Sequence, residues 1–169
     1  MILQKAKKLK QLIYGNSRML PVHLSTPSLS FKDINNVVKE LRKNNLAIGD
    51  SKKIFLDLLK KYIKSKFVVL TSNGTVSLYA ALLADNVKYN DEVLVPSFNY
   101  VASINAILSI KAIPHFVDSN RSDLGVDFEK LDKYLSKNTT LKKKKCINLR
   151  TKRHIKSLIV THVFGHPAN

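Results

Sequence analysis

The stretch FVVLTSNGTVSLYAALLADNVKYNDEVLVPSFNY, residues 67–100, decides the fold. Its opening, Phe67-Val68-Val69-Leu70, is bulky or β-branched with no polar alternation. That pattern predicts a strand buried on both faces, as in a parallel sheet. It breaks at Thr71-Ser72-Asn73-Gly74-Thr75, and helical spacing follows at Val76, Leu78, Ala80, Ala81, Leu82 and Leu83. A strand that passes through small polar residues into a helix N-terminus gathers free backbone N–H groups and the positive dipole end at one point, which suits an anion such as phosphate. Gly74 lets a ligand approach the backbone, and the hydroxyls of Ser72 and Thr75 can donate. The same spacing also fits an ordinary strand-to-helix turn with Thr or Asn as helix cap.

Downstream, residues 86–91 form a polar connection and Glu92-Val93-Leu94-Val95-Pro96 a short strand. Ser97-Phe98-Asn99-Tyr100 leads into a helix carrying Val101, Ile104, Ala106, Ile107 and Ile110. Residues 113–118 read as a strand ending in Asp118, and 127–135 as a helix with Phe128, Leu131 and Leu135 on one side. Two further strands are expected at 146–149 and 155–160, joined by Thr151-Lys152-Arg153. Upstream, residues 2–13 have helical spacing with Gly15 as a stop, and 20–29, with Pro21 and Pro27, should be extended. Ser30 opens a one-faced helix through Phe31, Ile34, Val37, Val38 and Leu41, with Asp33 placed for a capping box. After a loop at 46–51, Ile54, Phe55, Leu58, Leu59, Tyr62 and Ile63 mark another amphipathic helix. Alternation of strand and helix beyond residue 66 is the α/β pattern, with right-handed crossovers and a mostly parallel sheet. Ligands of such sheets sit at the strands' carboxyl ends, here 71–75, 96–100, Asp118 and 162–166.

The chain of 169 residues, 44% hydrophobic, suffices for one domain with a sizeable core. No apolar run approaches the length of a membrane span, and no signal peptide is evident. The single cysteine, Cys146, excludes an internal disulfide framework and fits the cytoplasm. With no catalytic signature around it, Cys146 reads as an inert thiol. Net charge +17 raises a nucleic-acid-binding module as an alternative, centred on Lys142–Lys145 with Arg150, Lys152, Arg153 and Lys156. That block has no aromatic residue for base stacking, and the remaining lysines are spread over the expected helices, so a solvated or phosphate-attracting loop ranks ahead.

Taken in order, Thr71-Ser72-Asn73-Gly74-Thr75, then Asp91-Glu92-Val93-Leu94-Val95-Pro96-Ser97, then 113–118, then His162-Val163-Phe164-Gly165-His166-Pro167-Ala168 resemble the motifs of the DegT/StrS-type sugar aminotransferases. The resemblance covers about residues 20–169 and leaves 1–19 as an N-terminal extension. It implies the three-layer α/β large domain of the aspartate-aminotransferase fold, with a mostly parallel sheet. It further implies a pyridoxal 5′-phosphate enzyme that converts nucleotide-linked keto-sugars into amino-sugars for cell-surface glycans. A donor such as glutamate supplies nitrogen, and family members are generally homodimers. The segment 146–156 before His162 resembles the subgroup of bacillosamine- and legionaminate-type synthesis. Position by position, Gly74 and Thr75 match residues that hold the cofactor phosphate, Asn73 lies in the same turn, and Tyr100 matches the aromatic that stacks on the pyridine ring. His162 and His166 belong to the signature without an assigned step, and no metal is implied.

The family also needs a lysine that bonds the cofactor and moves a proton, and an acid at the pyridinium nitrogen. Both lie beyond the His162–Ala168 motif in the family, so the expectation is an incomplete large domain, inactive alone, with an unpaired sheet edge and exposed apolar helix faces. A non-catalytic relative that keeps a phosphate or nucleotide-sugar pocket is the alternative.

Overall fold

The computed structural model describes residues 26–43 and 49–168. The expected helix at 2–13, the extended start at 20–25, and the extension 1–19 lie outside those residues, as does the first half of the 46–51 loop.

The chain divides into two units, residues 1–55 and 56–169. In the first, helix α1 (Phe31–Arg42) begins at Ser30 with the expected capping box. Ser30 Oγ accepts from Asp33 N at 3.2 Å, and Ser30 N donates to Asp33 Oδ2 at 2.8 Å. Its apolar stripe of Phe31, Ile34, Val37 and Leu41 is exposed to solvent. Helix α2 (Asp50–Ile63) follows and crosses the division between the units.

The second unit holds α3 (Gly74–Ala84), β1 (Glu92–Pro96), α4 (Val101–Ser109), β2 (Ile113–Val117), α5 (Phe128–Asn138), β3 (Thr139–Lys142), β4 (Lys145–Asn148) and β5 (His154–Leu158). A one-turn 3₁₀ helix, Val163–Gly165, closes the described chain. The strands form one sheet in the order β2-β1-β5-β4-β3. β2, β1 and β5 run parallel, while β4 pairs antiparallel with both β5 and β3.

Alternation along β1 builds three layers. Val93 and Val95 face α3 and α4 in a core with Leu82, Val87, Ala106 and Ile107. Leu94 faces the other way, into a second core with Val126, Leu131 of α5 and Ile155 of β5. Cys146 packs at the margin of this second core, in keeping with a thiol used for packing.

Two differences from the sequence reading stand out. Phe67-Val68-Val69-Leu70 forms no strand, and Phe67 and Val69 are 76% and 84% exposed. A strand needs a hydrogen-bonded neighbour, and among the described residues no strand lies beside this segment. Conversely, β3 was not expected: residues 139–148 form a hairpin whose turn is Lys143-Lys144, both at positive φ (48° and 63°). The lysine run is therefore a tight reversal between strands. It also separates the basic residues, since Lys142–Lys145 lie at one end of β4 and Arg150, Lys152 and Arg153 at the other.

Candidate functional site

Helix α3 starts from a turn built by its own polar side chains. Asn73 is the helix cap, its Oδ1 accepting from Val76 N at 3.0 Å. Thr71 Oγ1 donates to Asn73 O at 3.0 Å and lies 2.5 Å from Ser77 Oγ, so the turn is braced from both sides. The amides of Gly74 and Thr75, first in the helix, have no partner among the described residues. A side chain added at Gly74 would meet nothing within 4 Å, so the space on the Cβ side of this residue is open. Gly74 thus serves by leaving room, since its backbone is ordinary helix.

Tyr100 stands on the other packed helix of that face, as the residue before α4, and is 78% exposed. Beside it, Asn99 accepts from Ser103 Oγ at 3.3 Å, while its Nδ2 is buried without a partner. The carboxyl ends of β1 and β2 are tied together: Ser97 N donates to Val117 O at 3.0 Å and Phe98 N to Ser119 Oγ at 3.2 Å. Asp118 pairs with Lys130 Nζ at 3.3 Å. His162 follows β5 and accepts through Nδ1 from Ala168 N at 3.0 Å, closing the turn that carries Gly165 and His166. Ala168 in turn lies against Gly125, where an added Cβ would stand 2.9 Å from the Ala168 Cβ. His162 is thereby a brace of the loop.

The structure brings Asn73, Gly74 and Thr75 together in one turn and sets Tyr100 on a different helix start. No hydrogen bond or ring contact joins the two among the described residues. Thr75 instead shares a groove of about 250 Å³ with Val76, Tyr79, Ala106 and Ser109, between α3 and α4. The sequence reading placed Thr71 and Asn99 within the strand-end segments 71–75 and 96–100 without giving either a role, and it missed Ser77, which shapes the turn with Thr71. Thr71 and Ser77 at i and i+6 around a cap residue were the available signal.

Residues 27–169 match the model of the DegT/DnrJ/EryC1/StrS aminotransferase family. The chain belongs to this family. GDP-perosamine synthase of Escherichia coli O157:H7 is 32% identical over 104 residues, 62% of this chain and 24% of that protein. The aminotransferase from Psychrobacter cryohalolentis superimposes with a TM-score of 0.68 at 25% identity, over 87% of this chain and 33% of that one. NtdA from Bacillus subtilis, solved with bound PMP, superimposes with a TM-score of 0.62 at 21% identity over 80% of this chain and 28% of its own. The chain spans about a quarter to a third of the length of the curated relatives it matches.

DegT/DnrJ/EryC1/StrS aminotransferases depend on pyridoxal phosphate. The unpartnered amides of Gly74 and Thr75, the room beside Gly74 and the orphaned Asn99 amide beside an exposed ring fit a phosphorylated aromatic cofactor. Among the described residues no helix is long and apolar enough to cross a membrane, and no group of three or more His, Cys, Asp or Glu could hold a metal.

Proposed function

We propose that this chain contributes the phosphate-binding half of a sugar aminotransferase site, in a protein that aminates a nucleotide-linked keto-sugar for cell-surface glycans. The observation that carries the reading is the α3 N-terminus, where the Gly74 and Thr75 amides have no partner among the described residues, in a chain that matches the family over residues 27–169. Pyridoxal phosphate supplies the electron sink for transamination. Toward it, the two amides and the Thr75 hydroxyl donate to phosphate oxygens, aided by the helix dipole. Asn73 holds those amides in place through its cap, and Tyr100 offers its face to the ring. The Asn99 amide supplies a donor at the same edge.

The large domain begins near residue 20 in this reading, with 1–19 outside it. The lysine and the acid that the reaction requires belong to a segment of the family beyond the one matched here. Glutamate as amino donor, a homodimer with sites at its interface and a cytoplasmic location belong to the same proposal. The bacillosamine- and legionaminate-type subgroup belongs to the same proposal and rests on the resemblance of the segment 146–156 alone.

Titration of the chain with pyridoxamine 5′-phosphate tests the site and avoids side reactions of an aldehyde with surface lysines. Saturable binding that requires the phosphate, and that weakens about tenfold in Thr75→Ala, is expected for a lost hydrogen bond to a dianion. Equal affinity for pyridoxamine without phosphate would remove the reading.

A further inference from the structure

The opposite end of the sheet, at the amino ends of β1 and β2, holds a cavity of about 540 Å³. At its floor lies Glu92, 2% exposed. Both carboxylate oxygens are already engaged: Oε2 accepts from His115 Nδ1 at 2.7 Å and Asn148 Nδ2 at 2.9 Å, and Oε1 from Thr151 Oγ1 at 2.5 Å. Asn148, itself buried, uses its Oδ1 to accept from Arg150 N at 2.9 Å and Thr151 N at 3.3 Å. The turn 149–153 is thus anchored on the buried carboxylate, and that turn carries two arginines into the cavity lining.

Arg153 Nε donates to Asn90 Oδ1 at 2.8 Å, which orients its guanidinium and leaves the terminal N–H groups over. Among the described residues Arg150 has no side-chain partner, and neither does the Tyr134 hydroxyl, although the Tyr134 ring packs edge-on to His115 at 5.4 Å. Ile113, Pro114 and Phe116 supply an apolar wall. Two arginine forks and a phenol hydroxyl therefore border one apolar-walled hollow, whose only carboxylate has its oxygens committed elsewhere. Such a donor set suits an anion with several terminal oxygens and excludes a metal ion, which would need the oxygens of Glu92. The volume falls within the range of small-molecule sites.

We propose that this cavity binds a small phosphate monoester with a compact ring, the phosphate on Arg150 and Arg153 and the ring against the apolar wall. The site is separate from the one at the α3 N-terminus. Glu92 opens β1 and Pro96 ends it, so cavity and carboxyl edge stand about 13 Å apart along the strand. The buried anchors make the arginine turn preorganised, so little ordering cost falls on binding.

Calorimetric titration of the full chain with phenyl phosphate tests the assignment. The expected result is a saturable component that persists in Thr75→Ala and weakens about tenfold or more in Arg150→Ala, with phenol giving none. Among the described residues the Arg150 side chain makes no hydrogen bond or ion pair, so its replacement leaves the Glu92 network intact. Should circular dichroism show otherwise, Arg150→Lys decides instead, because an ammonium keeps the charge but loses the fork, and a clear weakening is again expected. Absence of saturable heat, affinity unchanged in both Arg150 variants, or complete loss of binding in Thr75→Ala would overturn it.

Discussion

Glu92 gathers three long-range side-chain hydrogen bonds, from His115, Asn148 and Thr151. Burial pushes its carboxyl up, but the hydrogen bonds from Thr151, Asn148 and His115 together outweigh that and hold it below its ordinary value of 4.5. A carboxylate with a depressed folded-state value contributes stability that is complete above the unfolded value and is lost as pH falls through the folded one. Unfolding of the second unit should therefore show an acid limb beginning below about pH 4.5. In Glu92→Gln that limb should flatten. The same change should cost about 1 kcal/mol at neutral pH, because hydrogen bonds to a carboxylate become neutral ones while the Thr151 hydroxyl turns to accept from the new amide. Denaturant midpoints measured from pH 3 to 7 check both statements, and an unchanged acid limb in the variant would refute the first. None of this network was legible in the sequence, since its members lie 23, 56 and 59 residues from Glu92. Asn73 was legible, because a helix cap depends only on residues within one turn.

At the scale of elements, local signals carried furthest where the element satisfies itself. Helices α1, α3, α4 and α5 stand where spacing put them, although Asp127, expected as the first residue of its helix, is instead the cap of α5, its side chain accepting from Lys130 N. Strands depend on neighbours. Phe67-Val68-Val69-Leu70 has the composition of a central strand yet lacks one beside it, so it stays irregular. The β3–β4 hairpin went unread for the reverse reason: its turn is Lys-Lys, where Asn-Gly would have announced it. Positive φ at two lysines costs free energy that Asn-Gly would not. Replacing Lys143-Lys144 with Asn-Gly should therefore stabilise the second unit by about 1 kcal/mol, read as a rise in denaturant midpoint at unchanged slope. A fall in midpoint would mean that the turn geometry described here is wrong.

For the molecule as a whole, the three-layer core around β1 was expected, whereas the extent of uncovered apolar surface became plain only in the structure. In the first unit Phe31, Ile34, Val37 and Leu41 face solvent; in the second Tyr62, Phe67, Val69, Phe98 and Tyr100 do. Helix α3 is apolar on all sides but buries only Leu82 fully. Surfaces of this kind drive association. The chain should bind a hydrophobic dye in its folded state and should self-associate as concentration rises, which light scattering will detect. A monodisperse monomer without dye binding at high concentration would contradict the exposure described. High salt should strengthen the association, because it screens the net charge of +17 that otherwise keeps copies apart.

The antiparallel ribbon also rearranges the molecule's electrostatics. Its two turns, Lys142–Lys145 and Arg150–Arg153, stand about 15 Å apart along β4, close to two screening lengths at physiological ionic strength. What reads in one dimension as a single cationic tract behaves in solution as two independent poles. A counterion held at one leaves the other unaffected, and a polyanion must straddle the ribbon to profit from both.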